Sequence, residues 1–191
     1  MHKTIAAFIL KLVGWQVSFT LPPCDKYVLV GAPHTSNWDF VLGLLAMCAA
    51  GLRFNWAGKH TLFKGVLGPV MRAMGGIPVD RRESVGFVKK VIDLFANRDQ
   101  FVLAIAPEGT RSLTKEWKAG FYHIALAAEV PIALGYIDYP RKTIGIDRLF
   151  DPSGDIDADF EILRDYYRDK IGKRPEFQGP VKISTGAAKK R

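Results

Sequence analysis

The sequence predicts a single α/β domain with three layers, in which a mostly parallel β-sheet is flanked by helices and preceded by an apolar N-terminal helix. Its 191 residues fit one domain, for which about 100–200 residues are usual. Short apolar runs alternate with segments of helical period, which is typical of βαβ units with parallel strands. We expect the domain to span 22–184, after the helix at 1–21 and before a small basic tail at 185–191 that is expected to be disordered.

Each predicted element has a local signal in the chain. Apolar runs bounded by turn residues predict strands, and the run at 101–106 is apolar throughout, as expected for a central strand covered on both faces. Gly51 ends one predicted helix and Ser84 caps another. In chain order after Pro22-Pro23, the predicted elements are strand 27–32, helix 37–50, strand 53–57, helix 62–75, strand 77–80, a helix beginning at Ser84, strand 101–106, helix 118–128, strand 132–137, helix 160–171 and a short strand around Val181.

The N-terminal segment is predicted to be an apolar helix that ends before Pro22-Pro23. Lys11 interrupts it, so it lacks the roughly 20 continuous apolar residues that a membrane-spanning helix needs. Its small and polar side chains, from Thr4 to Ser18, would form one narrow stripe, and such a helix suits a membrane interface. We therefore expect a peripheral or monotopic protein on the cytoplasmic face of an anionic membrane. The alternatives are that the segment packs on the domain as a core helix or is a signal peptide.

The composition limits the classes of function. Hydrophobic residues make up 48% and charged residues 24% of the chain, which excludes a disordered or fibrous protein. The 27 basic and 19 acidic residues give a net charge of +8, which favours an anionic partner. The cations are dispersed and no nucleic-acid-binding motif is present, so we expect no nucleic-acid partner. Cys24 and Cys48 lack metal-ligand or redox spacing, and no dinucleotide or phosphate-loop fingerprint occurs, so we expect neither a metal nor a cofactor.

Polar residues follow three of the predicted strands, and ligands gather at the carboxyl ends of parallel strands. His34 and Asp39 follow the first of these strands. If Ser36 is the N-cap of the next helix, Asp39 is its third residue and points back toward His34. Its carboxylate could then accept from one ring nitrogen and leave the other as a base. Alternatively, Ser36 and Asp39 form only a capping box and His34 is an ordinary loop histidine.

The segment Glu108-Gly109-Thr110-Arg111 follows the central strand. Arg111 offers a planar guanidinium that suits phosphate or carboxylate, and Gly109 allows close approach of the backbone. The alternative is a salt bridge between Glu108 and Arg111 that closes a turn. Arg81 follows another strand and is either a second phosphate contact or a solvated cation. No Gly-x-Ser-x-Gly motif occurs, so a serine nucleophile is not expected.

Four sequence blocks carry a resemblance to a known family. They are Pro33-His34-x4-Asp39, Gly76-Ile77-Pro78-Val79-Asp80-Arg81, Pro107-Glu108-Gly109-Thr110-Arg111-Ser112 and Val130-Pro131-Ile132. In this order and spacing they resemble the blocks of the glycerolipid acyltransferases, the lysophosphatidate acyltransferase family. The resemblance extends from Tyr27 to Tyr139.

The resemblance implies an O-acyltransferase that acts without a covalent acyl-enzyme. It implies that His34 is the general base for an acceptor hydroxyl, that Asp39 orients it, and that the acyl group comes directly from acyl-CoA or acyl-carrier protein. The implied acceptor is a lysophospholipid such as 1-acylglycerol-3-phosphate. Positions that match those holding its glycerol phosphate are Arg81, Glu108, Gly109, Thr110 and Arg111, and Lys59 is a further candidate for the anion site. The alternative is a non-catalytic membrane- or lipid-binding module that keeps the same fold.

Overall fold

A computed structural model of the chain describes residues 2–20, 22–80 and 84–184. The helices are α1 His2–Leu12, α2 Asn37–Ala50, α3 Leu67–Ala73, α4 Ser84–Ala96, α5 Gly120–Ala127 and α6 Ile156–Tyr167. The strands are β1 Gln16–Phe19, β2 Lys26–Ala32, β3 Asn55–Lys59, β4 Gly76–Val79, β5 Phe101–Ile105, β6 Ile132–Asp138 and β7 Thr143–Phe150. Short 3₁₀ helices occur at His60–Phe63 and Pro175–Phe177.

The strands form one sheet in the order β1-β7-β6-β2-β5-β3-β4. Neighbouring strands pair in parallel except β6 and β7, which are antiparallel. β2 lies at the centre, where Val30 is opposite Ile105 of β5 on one side and Leu134 of β6 on the other. The predicted α/β domain with a mostly parallel sheet is confirmed.

Side chains that alternate along β2 contribute to two hydrophobic cores. Val28 and Val30 belong to a core that is shared with α4, α5 and α6. Tyr27 and Leu29 point to the opposite face and pack in a core that includes Met47 of α2. All four β2 side chains are buried, and full burial of an apolar side chain of this size stabilises the fold by about 1.5–3 kcal/mol. Helices therefore cover both faces of the sheet, which gives the three predicted layers.

The N-terminal helix is shorter than predicted. α1 ends at Leu12, and Gly14 turns the chain with a φ of +78°. Residues 16–19 then form β1, in which Val17 lies opposite Ile144 of β7. The prediction of a helix that extends to Ser18 is therefore wrong for this part. Its apolar residues fit a helical face and an alternating edge strand equally well, and pairing with a distant strand decides between the two.

α1 packs on the domain with one side and exposes apolar residues on the other. Leu10 is fully buried and packs with Leu42 and Ala46 of α2. Large apolar side chains remain exposed at Ile5, Phe8, Ile9, Leu12 and Val13. Among the residues that the structure describes, no helix combines the length and hydropathy needed to cross a bilayer.

β7 was not predicted from the sequence. It pairs with β6, and its apolar pattern is interrupted by Asp147 and Arg148, which are both exposed. A short local pattern does not identify a strand of this kind, because its pairing partner is what stabilises it.

The C-terminal part also differs from the prediction. α6 begins at Ile156, before the predicted start, because Asp155 is its N-cap and accepts a hydrogen bond from the backbone N–H of Ala158. The helix ends at Tyr167. Around Val181 the chain forms an isolated bridge between Trp117 and Ile183 in place of the expected strand. The tail at 185–191, which was predicted to be disordered, lies outside the described residues.

Candidate active site

The loops that carry the predicted site residues leave the sheet at one edge. β2, β5, β3 and β4 are adjacent and parallel, so their carboxyl ends lie side by side. The loop with His34 follows β2, and the loop with Glu108 follows β5. Lys59 is the last residue of β3. The parallel order of the strands is therefore what brings distant segments of the chain together here.

His34 and Asp39 are in contact across the junction between β2 and α2. Nδ1 of His34 lies 3.3 Å from Oδ2 of Asp39. The His34 side chain is 21% exposed, whereas that of Asp39 is 2% exposed. A carboxylate next to Nδ1 orients the ring and leaves Nε2 as the nitrogen that can take a proton. The pair thus has the arrangement of a positioned base that solvent or a substrate can reach.

The start of α2 fixes the position of Asp39. Ser36 is the N-cap, with its hydroxyl accepting from the backbone N–H of Trp38. Oδ2 of Asp39 in turn accepts from the backbone N–H groups of Thr35 and Ser36, each at 2.8 Å. A negative charge is also favourable in the first turn of a helix. The capping box and the contact with His34, considered as alternatives from the sequence, are both present and share one oxygen.

Glu108 connects the β5 loop to the β2 loop. Its Oε1 accepts from the backbone N–H of His34 at 2.9 Å, between residues 74 positions apart. Its other oxygen, Oε2, is buried and has no hydrogen-bond partner in the described part of the chain. Burial raises the pKa of Glu108 to about 7. The Glu108 carboxyl group therefore contacts the backbone of His34 through one oxygen, while its other oxygen is buried without a hydrogen-bond partner in the described residues.

The Glu108–Arg111 salt bridge that the sequence left open is not formed. Within residues 2–20, 22–80 and 84–184, Glu108 makes no ion pair with Arg111, and the Arg111 side chain is exposed. Gly109 instead closes the turn, with a φ of +63° and a backbone N–H that donates to the carbonyl of Ala106. Thr110 is half-buried and accepts from the backbone N–H of Ser112 at 3.3 Å. The guanidinium therefore extends from a turn that the backbone itself stabilises.

Lys59 and Arg81 do not join the His34–Asp39 pair in the same way. Lys59 is exposed, and β5 lies between its strand and β2, which separates the two strands by about 10 Å. Arg81 lies outside the described residues. The structure therefore brings His34, Asp39 and Glu108 into direct contact and leaves Lys59 further along the same edge.

Two contacts at the site were not foreseen from the sequence. The hydroxyl of Tyr139, directly after β6, donates to Oδ1 of Asp39 at 2.7 Å. The backbone N–H of Arg174 donates to Oγ1 of Thr35 at 3.1 Å, and a Cβ added to Gly172 would lie 2.7 Å from the same oxygen. Because β6 is parallel to β2 and adjacent to it, the rule of strand ends could have identified Tyr139. No local signal marks the segment around Arg174.

Comparisons with known proteins agree with this architecture. The crystal structure of the 1-acyl-sn-glycerophosphate (LPA) acyltransferase PlsC from Thermotoga maritima is similar to this chain, with a TM-score of 0.56. The identity is 18%, and the match covers 87% of this chain and 73% of that one. At this identity the likeness concerns the fold. Among curated proteins, none matches the sequence.

The sequence itself matches the model of the Acyltransferase family. The match spans residues 18–136, which is more than half of the 191 residues. This range includes β2, α2, β5 and the loops that hold His34, Asp39 and Glu108. The chain therefore belongs to the acyltransferase family.

Proposed function

We propose that this acyltransferase moves a fatty acyl group from an acyl thioester to the hydroxyl of a lysophospholipid such as 1-acylglycerol-3-phosphate. The observation that carries the proposal is the contact between His34 and Asp39, at the carboxyl end of the central strand. A partly exposed imidazole beside a buried carboxylate is suited to remove a proton from an alcohol. The family membership and the likeness to a PlsC structure support acyl transfer as the reaction.

In the proposed mechanism, Nε2 of His34 accepts the proton of the acceptor hydroxyl while the hydroxyl oxygen attacks the thioester carbonyl carbon. Asp39 holds the ring and stabilises the imidazolium that forms. Collapse of the tetrahedral intermediate breaks the carbon–sulfur bond, and the leaving thiolate receives the proton from His34. Base catalysis by a positioned group typically accelerates a reaction by about 10²–10⁴-fold. No covalent acyl-enzyme is formed.

The acceptor phosphate is proposed to bind along the same sheet edge. Arg111 is exposed in the loop after β5 and is not neutralised by Glu108, so its guanidinium is available for a bidentate contact with phosphate. Gly109 and Thr110 shape this loop, and Lys59 adds a positive charge at the end of β3. We propose Arg81 as a further phosphate contact on the grounds of the resemblance alone. Glu108 supports the loop through its bond to His34.

The outer side of α1 is proposed to lie in the membrane surface. Phe8 and Leu12 are 64% and 74% exposed, although both side chains are large and apolar. Lys11 on the same helix is also exposed and would approach anionic headgroups. Helices of this kind bind in the plane of the interface. Such a location would bring the site to a lipid acceptor that itself resides in the bilayer.

A product assay tests the proposed function. The full chain is incubated with 1-acylglycerol-3-phosphate in detergent micelles and with either acyl-CoA or acyl-carrier protein, and the lipids are identified by mass spectrometry. We expect diacylglycerol-3-phosphate to form with one donor or both. A matched reaction with diacylglycerol-3-phosphate as acceptor, which has no free hydroxyl on its glycerol, should give no acylated product.

The same assay distinguishes an acyltransferase from a protein that only binds lipid. If the protein binds vesicles that contain the lysolipid but forms no product with any donor and acceptor pair, a non-catalytic lipid-binding module explains the site better. If product forms with another lysophospholipid but not with 1-acylglycerol-3-phosphate, the proposed reaction is supported and the proposed acceptor is wrong.

A further inference from the structure

Tyr139 contacts the carboxylate of Asp39 from outside the segment that matches the family. The match ends at residue 136, and Tyr139 follows β6 in the turn that leads to β7. Its hydroxyl donates to Oδ1 of Asp39 at 2.7 Å, a length typical of a hydrogen bond between a hydroxyl and a carboxylate. Neither the capping box nor His34 uses this oxygen.

The hydrogen bonds of Asp39 are divided between its two oxygens. Oδ2 accepts from the backbone of Thr35 and Ser36 and faces His34, so it holds the helix and the imidazole together. Oδ1 has Tyr139 as its donor. Because the Asp39 side chain is only 2% exposed, water is not a ready substitute, and loss of the hydroxyl would leave a buried oxygen without a partner.

Two other contacts hold Tyr139 in place. Its ring packs edge-on against Trp15, with ring centroids 5.0 Å apart and an angle of 88° between the planes. Its backbone N–H donates to the carbonyl of Ile171 at 3.0 Å. Burial, together with the hydrogen bond to Asp39, raises the pKa of Tyr139 above its usual range, so the phenol stays protonated and remains a donor at neutral pH.

We propose that Tyr139 is a positioning residue, which fixes the rotation of the Asp39 carboxylate and sets how strongly the His34–Asp39 pair holds a proton. The proposal rests on the proposed function, since it concerns the base of that reaction. The hydrogen bond from the Tyr139 hydroxyl partly neutralises the negative charge of the Asp39 carboxylate. When this hydroxyl is removed, the carboxylate attracts the positive charge of the His34 imidazolium more strongly.

Glu108 is a further charged group near the His34–Asp39 pair. Glu108 interacts electrostatically with both His34 and Asp39, and it approaches from the loop after β5. Tyr139 approaches from the opposite neighbour of β2, which is β6. The substitution Tyr139→Phe removes one hydroxyl and leaves Glu108, Thr35, Ser36 and the ring contact with Trp15 unchanged.

The test compares Tyr139→Phe with a matched control, Tyr122→Phe. Tyr122 also donates to a buried aspartate, Asp159, at 2.7 Å, but this pair joins α5 to α6. For Tyr139→Phe we expect kcat to fall roughly 10-fold, because the Asp39 carboxylate loses the hydrogen bond that fixes its rotation. This loss of orientation is expected to outweigh the stronger stabilisation of the imidazolium, and KM should stay within about twofold. The ascending limb of the pH–rate profile should move to higher pH. Tyr122→Phe should change neither quantity.

NMR titration of the His34 ring provides a readout that needs no activity. The pH at which its Cε1–H resonance is half-shifted should be higher in Tyr139→Phe than in the wild-type protein and unchanged in Tyr122→Phe. Should Tyr139→Phe not fold, the wild-type protein still tests the contact. Its Tyr139 hydroxyl proton should exchange slowly with water, and fast exchange would overturn the proposal.

The outcomes distinguish failure of the proposed function from failure of the role assigned to Tyr139. A titration shift in Tyr139→Phe supports the assignment even if the wild-type protein transfers no acyl group, and in that case only the proposed function is overturned. Unchanged kcat, pH profile and titration in Tyr139→Phe would overturn the assignment while leaving the proposed function intact. An equal loss of kcat in both variants, with no titration shift, would show a purely structural effect and would also overturn it.

Discussion

One oxygen of Asp39 both closes the N-terminus of α2 and lies 3.3 Å from Nδ1 of His34. This double use explains the spacing of the two residues. With Ser36 as the N-cap, the third helical residue is the one whose side chain reaches back to the preceding loop, and that residue is Asp39. His34 lies two positions before the cap, so the helix start itself orients the imidazole.

Replacement of the cap should weaken the helix start. Ser36→Ala removes the hydroxyl that accepts from Trp38, and the free energy of unfolding is expected to fall by about 1 kcal/mol. Ser36→Thr keeps a capping hydroxyl and serves as the control, with a loss of no more than a few tenths of a kcal/mol. Urea denaturation followed by circular dichroism measures both. Equal stability of Ser36→Ala and the wild-type protein would contradict the role of this cap.

The stability of the protein should depend on pH through Glu108. Burial raises the pKa of Glu108 from its usual 4.5 to about 7 in the folded chain. Between these values the folded state holds a proton that the unfolded state has released, so stability falls as the pH rises through this window. Once Glu108 is fully ionised in the folded state, the free energy of unfolding is lower by about 3 kcal/mol. Glu108→Gln should remove this dependence.

Urea denaturation between pH 4.5 and 8 measures the effect of Glu108→Gln. The difference in unfolding free energy between the variant and the wild-type protein should change in favour of the variant as the pH rises. Glu176→Gln replaces an exposed glutamate and is the control. If Glu108→Gln and the wild-type protein keep a constant difference across this range, Glu108 does not titrate in the folded chain as described.

Arg111 should contribute to binding of the acceptor phosphate rather than to the chemical step. Arg111→Ala is expected to raise KM for 1-acylglycerol-3-phosphate about 10-fold or more and to leave kcat within about twofold. Arg111→Lys keeps the charge without the planar fork and should give an intermediate KM. An uncharged acceptor, 1-acylglycerol, should be used equally by Arg111→Ala and the wild-type protein. A selective loss of kcat would instead indicate a contact made in the transition state.

The exposed side of α1 should determine affinity for membranes. A double variant, Phe8→Ser with Leu12→Ser, removes two exposed apolar side chains and is expected to lower partitioning onto anionic phospholipid vesicles at least 10-fold. Activity on detergent-dispersed substrate should be unchanged. Leu126→Ser, at an exposed position on α5, is the control. Equal vesicle binding by the double variant, measured by sedimentation, would contradict membrane contact through α1.

Local signals were sufficient for the central part of the fold. α2 spans the predicted 37–50, because Ser36 at one end and Gly51 at the other, with a φ of +73°, are both legible in the sequence. β1 and β7 could not be predicted in the same way. Each is stabilised by pairing with the other across more than a hundred residues, and neither has an apolar pattern that excludes other structures.

The part of the candidate site that lies directly after strands of the parallel sheet was predictable from the sequence. His34 and Glu108 both follow strands of the parallel sheet, and the strand order that makes β2 and β5 neighbours brings them into contact. Tyr139 also follows a strand of this sheet, so its location at this edge was predictable. Its hydrogen bond to Asp39 was not, because the two residues are 100 positions apart. The hydrogen bond from Arg174 to Thr35 joins residues 139 positions apart through a backbone donor, and no sequence pattern encodes it.

The measurement that most directly tests the central claim is kcat for acyl transfer in His34→Ala, with folding checked by circular dichroism. His123→Ala, which removes an exposed histidine on α5, is the matched control. If His34 is the general base, His34→Ala should lose about 10²–10⁴-fold in kcat, while His123→Ala keeps the wild-type rate. A folded His34→Ala protein that transfers acyl groups at the wild-type rate would contradict the account.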